Sequence, residues 1–541
     1  MHSYRTIGNW SLRFAPGEPD CRIASGEWTG LTLADHIRRR AAETPDRVAI
    51  SDEASELTDG QALEQGSALA RSLMHMGLKA GDTVAFQLPN WTEAAVIDVA
   101  CALGGFVITP IIPIYRQSEL RFILRDCKAK ALFIPKVFRG TDYPALIAEV
   151  RGDATELEHL IAVRGDGCGL KWLIEQGRAL DTPLPGSDPD AAKLIIYTSG
   201  TTGEPKGVIY NHNQGTRSTQ QSFANWSVGA GSRLLMPSPV THVTGFFYGI
   251  EGAFTFGSRT FLMEKWDAAE AVRLIDSLGI EFTVGATPFL SELVEAAGRA
   301  GSRLPSLRIF ACGGASVPPD LIRRADAAFG SCRCFRVYGS SETPMITQGV
   351  LDNRELAATS DGRINDWEVK VVDDDGRALP PGLEGEILAR GPALFRGYTK
   401  RAATEAAFDP EGYFRTGDLG IVDADGIVTI TGRKKDLIIR GGENLSAKEI
   451  EDALFRHPAV REVAVVAFPH PRLGEGVAAC LVASGDDRPD ATELGRFLDA
   501  AGLARQKWPE LVVWMDELPK TASGKVKKHV LRADLARPPA T

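Results

Sequence analysis

The 541-residue chain has no apolar stretch approaching the roughly 18 residues that a membrane helix requires. Its longest candidate, AAVIDVACALGGFVITPIIPI at 94–114, is interrupted by Asp98, Gly104, Gly105 and Pro110. The opening MHSYRTIGNWSLRF lacks the apolar core of a secretion signal, and ARPPAT carries no recognisable address. Cysteines are few and scattered, eight in all. Only Cys332 and Cys334 stand close together, with no second pair or nearby histidine to complete a zinc site. They fall in SCRCFRVYG, which reads as a buried strand, so their expected role is packing in a reducing, cytoplasmic setting. Basic residues are not in excess: 61 Lys and Arg against 70 Asp and Glu give a net charge of −9. That balance argues against nucleic acid as the main partner. No repeat period is visible.

What the chain does have is an ordinary globular composition, 44% hydrophobic and 24% charged, at a length that calls for two or more domains. Apolar runs that read as buried strands alternate with helical-period stretches. TVAFQLP (83–89) precedes the helix-like WTEAAVIDVACALGG and then FVITPI. KALFIP, HLIAVR, AKLIIYTSG, EFTVGATP and LRIFACGG continue the series, with helical segments such as WDAAEAVRLIDSLG between them. This alternation predicts an α/β architecture with largely parallel sheets and flanking helices. The Gly/Pro-rich LPPGLEGEILARGP (379–392) shifts to short strands and turns, a small β-region. Beyond it, a compact α+β tail contains EIEDALFRHPAV and EVAVVAF. The expected organisation is a large domain over 1–434 and a small, mobile one over 435–541.

The strongest local signal is IIYTSGTTGEPKGVIYNH (195–212). A strand runs into glycines that let backbone N–H groups converge on an anion. Threonine and serine hydroxyls add donors, and Lys206 adds a positive charge. This is a candidate triphosphate cradle; a flexible surface loop is the alternative. It is not the G-x-x-x-x-G-K-S/T phosphate loop, because Gly203 to Lys206 has the wrong spacing and Gly207 follows the lysine.

The same loop matches Y/F-T-S-G-S/T-T-G-x-P-K-G through Tyr197–Gly207, and so resembles the signature of the adenylate-forming superfamily. Five further motifs follow in that superfamily's order: CGGAS (312–316), VYGSSE (337–342), YFRTGDLG (413–420), GRKKDLIIRGGENLSAKEIE (432–451) and PKTASGKVKK (519–528). The resemblance spans about residues 30 to 531. It implies ATP, Mg²⁺ and CoA as partners. Thr198, Ser199, Gly200, Thr201, Thr202, Gly203 and Lys206 would hold phosphates, with Glu342 and Thr201 on the metal. Gly313, Gly314, Ala315, Tyr338, Gly339, Ser341, Asp418 and Arg433 would hold adenine and ribose. Lys525 would bridge a carboxylate and the α-phosphate, while Lys520, Lys527 and Lys528 read as surface charge, Lys520 being the candidate among them for a secondary role. Lys435 would be the hinge of the small domain, and Gly441 and Gly442 would open a passage for the pantetheine arm. His242 would gate the acyl pocket or steer the carboxylate, with Phe246, Phe247 and Thr287 among the pocket walls. Taken singly, His242 could be structural, Asp418 a turn residue, Lys435 a solvated lysine and the aromatics core.

The implied activity is a carboxylate–CoA ligase that proceeds through an acyl-adenylate and releases AMP and pyrophosphate. PNWTEAAV (89–96) and PIYRQSELRFILRDCKAKALFIP (113–135) look most like enzymes of short- and medium-chain or cyclohexanecarboxylic acids. The principal competitor is a stand-alone aryl-acid activator that loads a carrier protein. An amino-acid activator is disfavoured because Pro239, Val240 and Thr241 offer no carboxylate for an α-amine. The acid itself and the oligomeric state are not legible.

Overall fold

The structure is a computed structural model that describes residues 3–165, 167, 169–198, 205–521 and 524–536. Two large sheets form the body. One runs His159–Val163, Ala129–Pro135, Thr83–Phe86, Val107–Pro110, Leu194–Thr198 and Lys206–Tyr210, parallel throughout except the last pair. The other runs Arg333–Val337, Ile309–Gly313, Phe282–Gly285, Arg233–Met236, Arg259–Leu262 and Val48–Ser51, all parallel, and closes with antiparallel Glu56–Thr58. The expected α/β architecture is therefore the observed one. Helix Thr92–Gly104, the interrupted apolar run of the sequence, is buried at every residue but Glu93. An all-round apolar helix belongs inside a large core rather than on its face. Among the described residues, no helix is long and apolar enough to cross a membrane.

The Gly/Pro-rich region folds as a four-stranded antiparallel sheet: Glu368–Val372, Glu384–Arg390, Phe414–Val422 and Val428–Arg433. A single 3-10 turn, Lys434–Asp436, follows. A separate core begins at Ile438, built on Ile438–Arg440, Glu443–Leu445, Val460–His470, Gly474–Ala483 and Leu511–Met515 with helices Ala447–Leu454 and Ala491–Ala500. The small domain meets the body at Ser446, whose Oγ donates to Thr431 O (2.6 Å), and at Phe455, which packs against an apolar core of the body beneath Arg324. Cys332 and Cys334 are buried on strand Arg333–Val337 and its approach, with sulfurs 3.7 Å apart and unbridged.

Candidate active site

The carboxyl ends of two neighbouring parallel strands, Ile309–Gly313 and Arg333–Val337, open a cleft where ligands of α/β sheets ordinarily bind. Glycine is required at both exits. A Cβ on Gly313 would stand 2.6 Å from Val337 O, and one on Gly339 would stand 2.5 Å from Met345 N. The chain then turns through Gly314 at φ +81°. Tyr338, which follows the second strand, is held by a two-way bond to Thr347: its N–H donates to Thr347 Oγ1 (2.9 Å), and Thr347 N–H donates to its carbonyl (3.2 Å).

Asp418 lies opposite Arg433 in the ladder between Phe414–Val422 and Val428–Arg433, so one register sets both side chains. Arg433 Nε lies 2.8 Å from Asp418 Oδ1, and Tyr338 O–H donates to Oδ2 at 2.8 Å. Burial, reinforced by this carboxylate, raises the Tyr338 phenol well above its ordinary range.

Glu342 follows a serine turn in which Ser340 Oγ accepts from the backbone N–H of Glu342 and Thr343, both at 3.2 Å. Its carboxylate accepts from Ser340 Oγ (3.1 Å) and from Tyr398 O–H (2.8 Å). Lys206 places its ammonium 5.1 Å from the Tyr398 ring centroid, a cation–π contact. Tyr398 escaped the sequence reading: it sits in RGYTK, outside the six motifs, and only the fold brings it to Glu342. Among the described residues no cation pairs with Glu342 within 4 Å. Its two oxygens carry only neutral donors, a carboxyl acceptor set suited to a hard divalent cation such as Mg²⁺. Thr198 and Lys206 pair across the two ends of the glycine-rich loop. The remaining candidates of that loop, Ser199, Gly200, Thr201, Thr202 and Gly203, lie outside the described residues.

Lys525 enters from the small domain. Thr521 N–H donates to Lys525 O (2.7 Å), Lys525 N–H donates to Thr521 Oγ1 (3.1 Å), and Gly524 adopts φ +82°. A Cβ placed on Gly314 would lie 3.7 Å from Lys525 Cε, and one on Gly524 would lie 3.5 Å from Pro288. Burial, then Arg433, lowers the Lys525 ammonium to about 8, with Asp418 and Glu342 opposing. No ion-pair partner for it is found among the described residues. Lys435, also on the cleft, is lowered by burial and then Arg433. Three cations thus face Asp418 and Glu342, a charge balance that favours an anionic ligand. His242 is pushed down to about 3 by burial and then Lys525, so it is a neutral imidazole whose Nδ1 accepts from Thr244 N–H at 3.5 Å.

The cleft between body and small domain has a volume of about 1030 Å³; Thr287, Gly314, Ala315, Tyr338, Gly339, Asp418, Arg433, Lys435 and Lys525 all line it. Ser341 is buried just behind Gly339 in sequence. Two expectations need correction, on the acyl-pocket aromatics and on the lysines beside Lys525. Phe246 and Phe247 are absent from the cleft lining and fully buried in the main core. A π-helical turn, Gly245–Glu251, rotates them inward, Phe246 beneath the Lys193 ammonium and Phe247 edge-on to Tyr210. Gly441 and Gly442 form the exposed two-residue turn between strands Ile438–Arg440 and Glu443–Leu445. With φ +61° and +92°, their glycine identity is explained by the turn itself. Lys520 and Lys528 are not free surface charge: they pair with Glu462 (2.5 Å) and Glu451 (2.7 Å), and with Lys527 they line the cleft.

A two-domain α/β body whose small domain inserts a lysine over an anion-favouring cleft is the design of an adenylate-forming enzyme. Residues 37–399 match the family described as AMP-binding enzyme, and 449–525 match the AMP-binding enzyme C-terminal domain. The chain belongs to this adenylate-forming ligase family. It is 34% identical over 522 residues to the medium-chain fatty-acid–CoA ligase of Escherichia coli (strain K12), covering 95% of this chain and 92% of that one. It is 31% identical over 515 residues to the vibriobactin-specific 2,3-dihydroxybenzoate-AMP ligase of Vibrio cholerae, covering 94% of each. Among solved structures, ATP-bound MatB from Rhodopseudomonas palustris superposes with a TM-score of 0.81 at 28% identity, covering 93% of this chain and 99% of that one.

Proposed function

We propose that the chain is an ATP-dependent carboxylate–CoA ligase. A carboxylic acid attacks the α-phosphate of ATP to give acyl-adenylate and pyrophosphate, and the CoA thiol then displaces AMP. The observation that carries this reading is the position of Lys525 over Gly314, facing the Asp418–Arg433 pair and His242. Two anions, carboxylate and α-phosphate, must meet for the first step, and a preorganised ammonium there offsets their repulsion and the charge developing at phosphorus. Tyr338 and the Gly313–Gly314 backbone offer a flat slot for adenine. Asp418, paired with Arg433, accepts from ribose hydroxyls. Glu342 would hold Mg²⁺, with Thr201 as the second candidate ligand; the ion would neutralise phosphate charge. Neutral His242 contributes shape and a hydrogen bond rather than charge. Lys435, in the one turn between the two cores, is the proposed pivot that swings Lys525 out and brings the Gly441–Gly442 turn toward the cleft for thioester formation.

The acyl group on this reading is a short- or medium-chain or alicyclic acid, in keeping with the identity to the medium-chain ligase. The similarity to an enzyme named as a 2,3-dihydroxybenzoate-AMP ligase supports the second reading, an aryl-acid activator that loads a carrier protein. The test is acid-dependent pyrophosphate release over linear, alicyclic and aromatic acids, with and without CoA. CoA-dependent thioester formation is expected. Transfer to a carrier protein with none to CoA would overturn the CoA-ligase reading.

A further inference from the structure

Helix His212–Asn225 is buried over most of its length, yet one face of it is polar. Gln214, Ser218, Gln221 and Ser222 fall within an arc of about 100° at 3.6 residues per turn. Each is at most 4% exposed. A buried helix face ordinarily presents apolar side chains, and buried polar groups are ordinarily hydrogen-bonded. Here they are only partly so. Gln214 Nε2 and Gln221 Oε1 have no hydrogen-bond partner, and neither does Gln348 Oε1, which faces the same stripe; Ser218 Oγ has at most a loose contact with the Tyr248 hydroxyl. The hydroxyl of Tyr210, just before this helix, is orphaned as well.

The position of this stripe gives it meaning. Ser222 Oγ lies 2.7 Å from Tyr248 O–H and accepts from Gln348 Nε2 at 3.0 Å. Tyr248 belongs to the π-helix Gly245–Glu251, whose preceding turn is His242 itself: Phe246 N–H donates to His242 O at 2.8 Å. Gln348 adjoins Thr347, the residue that clamps the Tyr338 backbone. The stripe therefore joins the element carrying His242 to the element carrying Tyr338. On the ligase reading, a carboxylate held near Lys525 and His242 would direct its acyl part inward, between those two elements.

Resting on the ligase reading above, we propose that the acyl end of the site selects acids bearing an uncharged hydrogen-bonding substituent, a hydroxyl above all, over plain hydrocarbon acids. Ser218, Gln221 and Gln348 are the groups that would meet it. The three groups proposed are uncharged, and Arg217 on the adjoining face is paired with Asp366 through Nη2, its Nε remaining unpartnered. An ammonium on the acid is therefore disfavoured. A site whose buried donors and acceptors are completed by the substrate discriminates strongly against an analogue that leaves them unpaired.

The experiment is acid-dependent ATP–pyrophosphate exchange on the full chain, with acids matched in carbon skeleton: benzoate against its hydroxybenzoates, cyclohexanecarboxylate against its hydroxy derivatives, hexanoate against 6-hydroxyhexanoate. The expected result is a preference of about 10- to 100-fold in kcat/KM for the hydroxylated member of at least one pair. Ser218→Ala and Gln348→Leu should collapse that ratio, chiefly by lowering kcat/KM for the hydroxylated acid. Should Gln348→Leu fail to fold, Ser218→Ala removes one hydroxyl only and carries the test. A preference for the plain acid in every pair, or equal loss with both members in the variants, overturns the inference and leaves the ligase reading standing. Exchange with no carboxylic acid at all overturns the ligase reading itself, and this inference with it.

Discussion

Lys525 of the small domain comes to rest over Gly314 of the large one, so close that a Cβ on the glycine would touch the lysine Cε at 3.7 Å. The two residues are far apart in sequence, and their meeting requires the small domain to sit as it does here. The glycine itself is called for by its φ of +81°, while the lysine packs on it at ordinary contact distance.

If Lys525 serves the first half-reaction only, Lys525→Ala should lower adenylate formation by about 10²–10³-fold, the scale of losing one preorganised charge donor. Thioester formation from supplied acyl-adenylate should fall far less. Single-turnover assays of each half-reaction separate the two, and equal loss in both would contradict a role confined to adenylation.

The charge state of the cleft gives a pH dependence. Lys525 is lowered to about 8, so its ammonium predominates at pH 7 and is lost as pH rises past 8. The kcat/KM of adenylation should therefore show a basic limb near 8. His242, held near 3, stays neutral across the working range and should give no acid limb between pH 5 and 7. A pH profile of the wild type and of His242→Gln decides the matter. A limb near 6.5 that vanishes in the variant would mean that the imidazole titrates during turnover.

Much of this site could be read from the sequence because its residues sit at fixed offsets within strand-turn motifs. Gly313, Gly339 and Asp418 are each dictated by local backbone or ladder geometry. The partners that complete them were not legible. Tyr398 reaches Glu342 across 56 residues from a loop with no motif of its own. Phe246 and Phe247 looked like pocket walls because of their neighbour His242, but the π-helical register turns both into the core. The stretch HNQGTRSTQQSFAN has the composition of a solvated helix, and only tertiary packing buries it.

Tyr338→Phe should separate the phenol's role from the ring's. The O–H removed is one of two side-chain partners of Asp418, the other being Arg433. A hydrogen bond to a charged group contributes about 1.5–3 kcal/mol, so kcat/KM for ATP should fall about 10- to 100-fold, while the ring still stacks. In combination with Asp418→Asn the losses should be less than additive, since both act on one contact. Additive losses in the double-mutant cycle would show that the phenol works elsewhere.

Tyr398→Phe removes the donor on Glu342 Oε1 without touching the carboxylate. Groups that orient a metal-holding side chain typically change metal affinity by 10- to 100-fold when removed. The variant should need that much more Mg²⁺ for half-maximal activity and recover most of its rate at saturation. A Mg²⁺ titration that superposes on the wild type would remove Glu342 from the metal.

The deepest ionic group of the body predicts a stability profile rather than a catalytic one. Lys193 lies between Asp98 (3.2 Å) and Glu251, all three at most 3% exposed. Burial raises the Glu251 carboxyl to about 7 from an ordinary 4.5; Lys193 opposes the rise and Asp98 adds to it. Since the folded state holds this proton more tightly than the unfolded chain, the contribution is complete below 4.5 and is lost as pH rises through 7. The difference in thermal midpoint between wild type and Glu251→Gln should therefore shift steadily against the wild type from pH 5 to pH 8. Glutamine keeps the shape and cannot ionise, so the variant lacks this one proton linkage. Lys193→Met should be the converse. It leaves two buried carboxylates without their ammonium, costs about 3–5 kcal/mol, and does more harm at pH 8 than at pH 5. Parallel midpoint curves for wild type and Glu251→Gln over that window would show that Glu251 is ionised throughout.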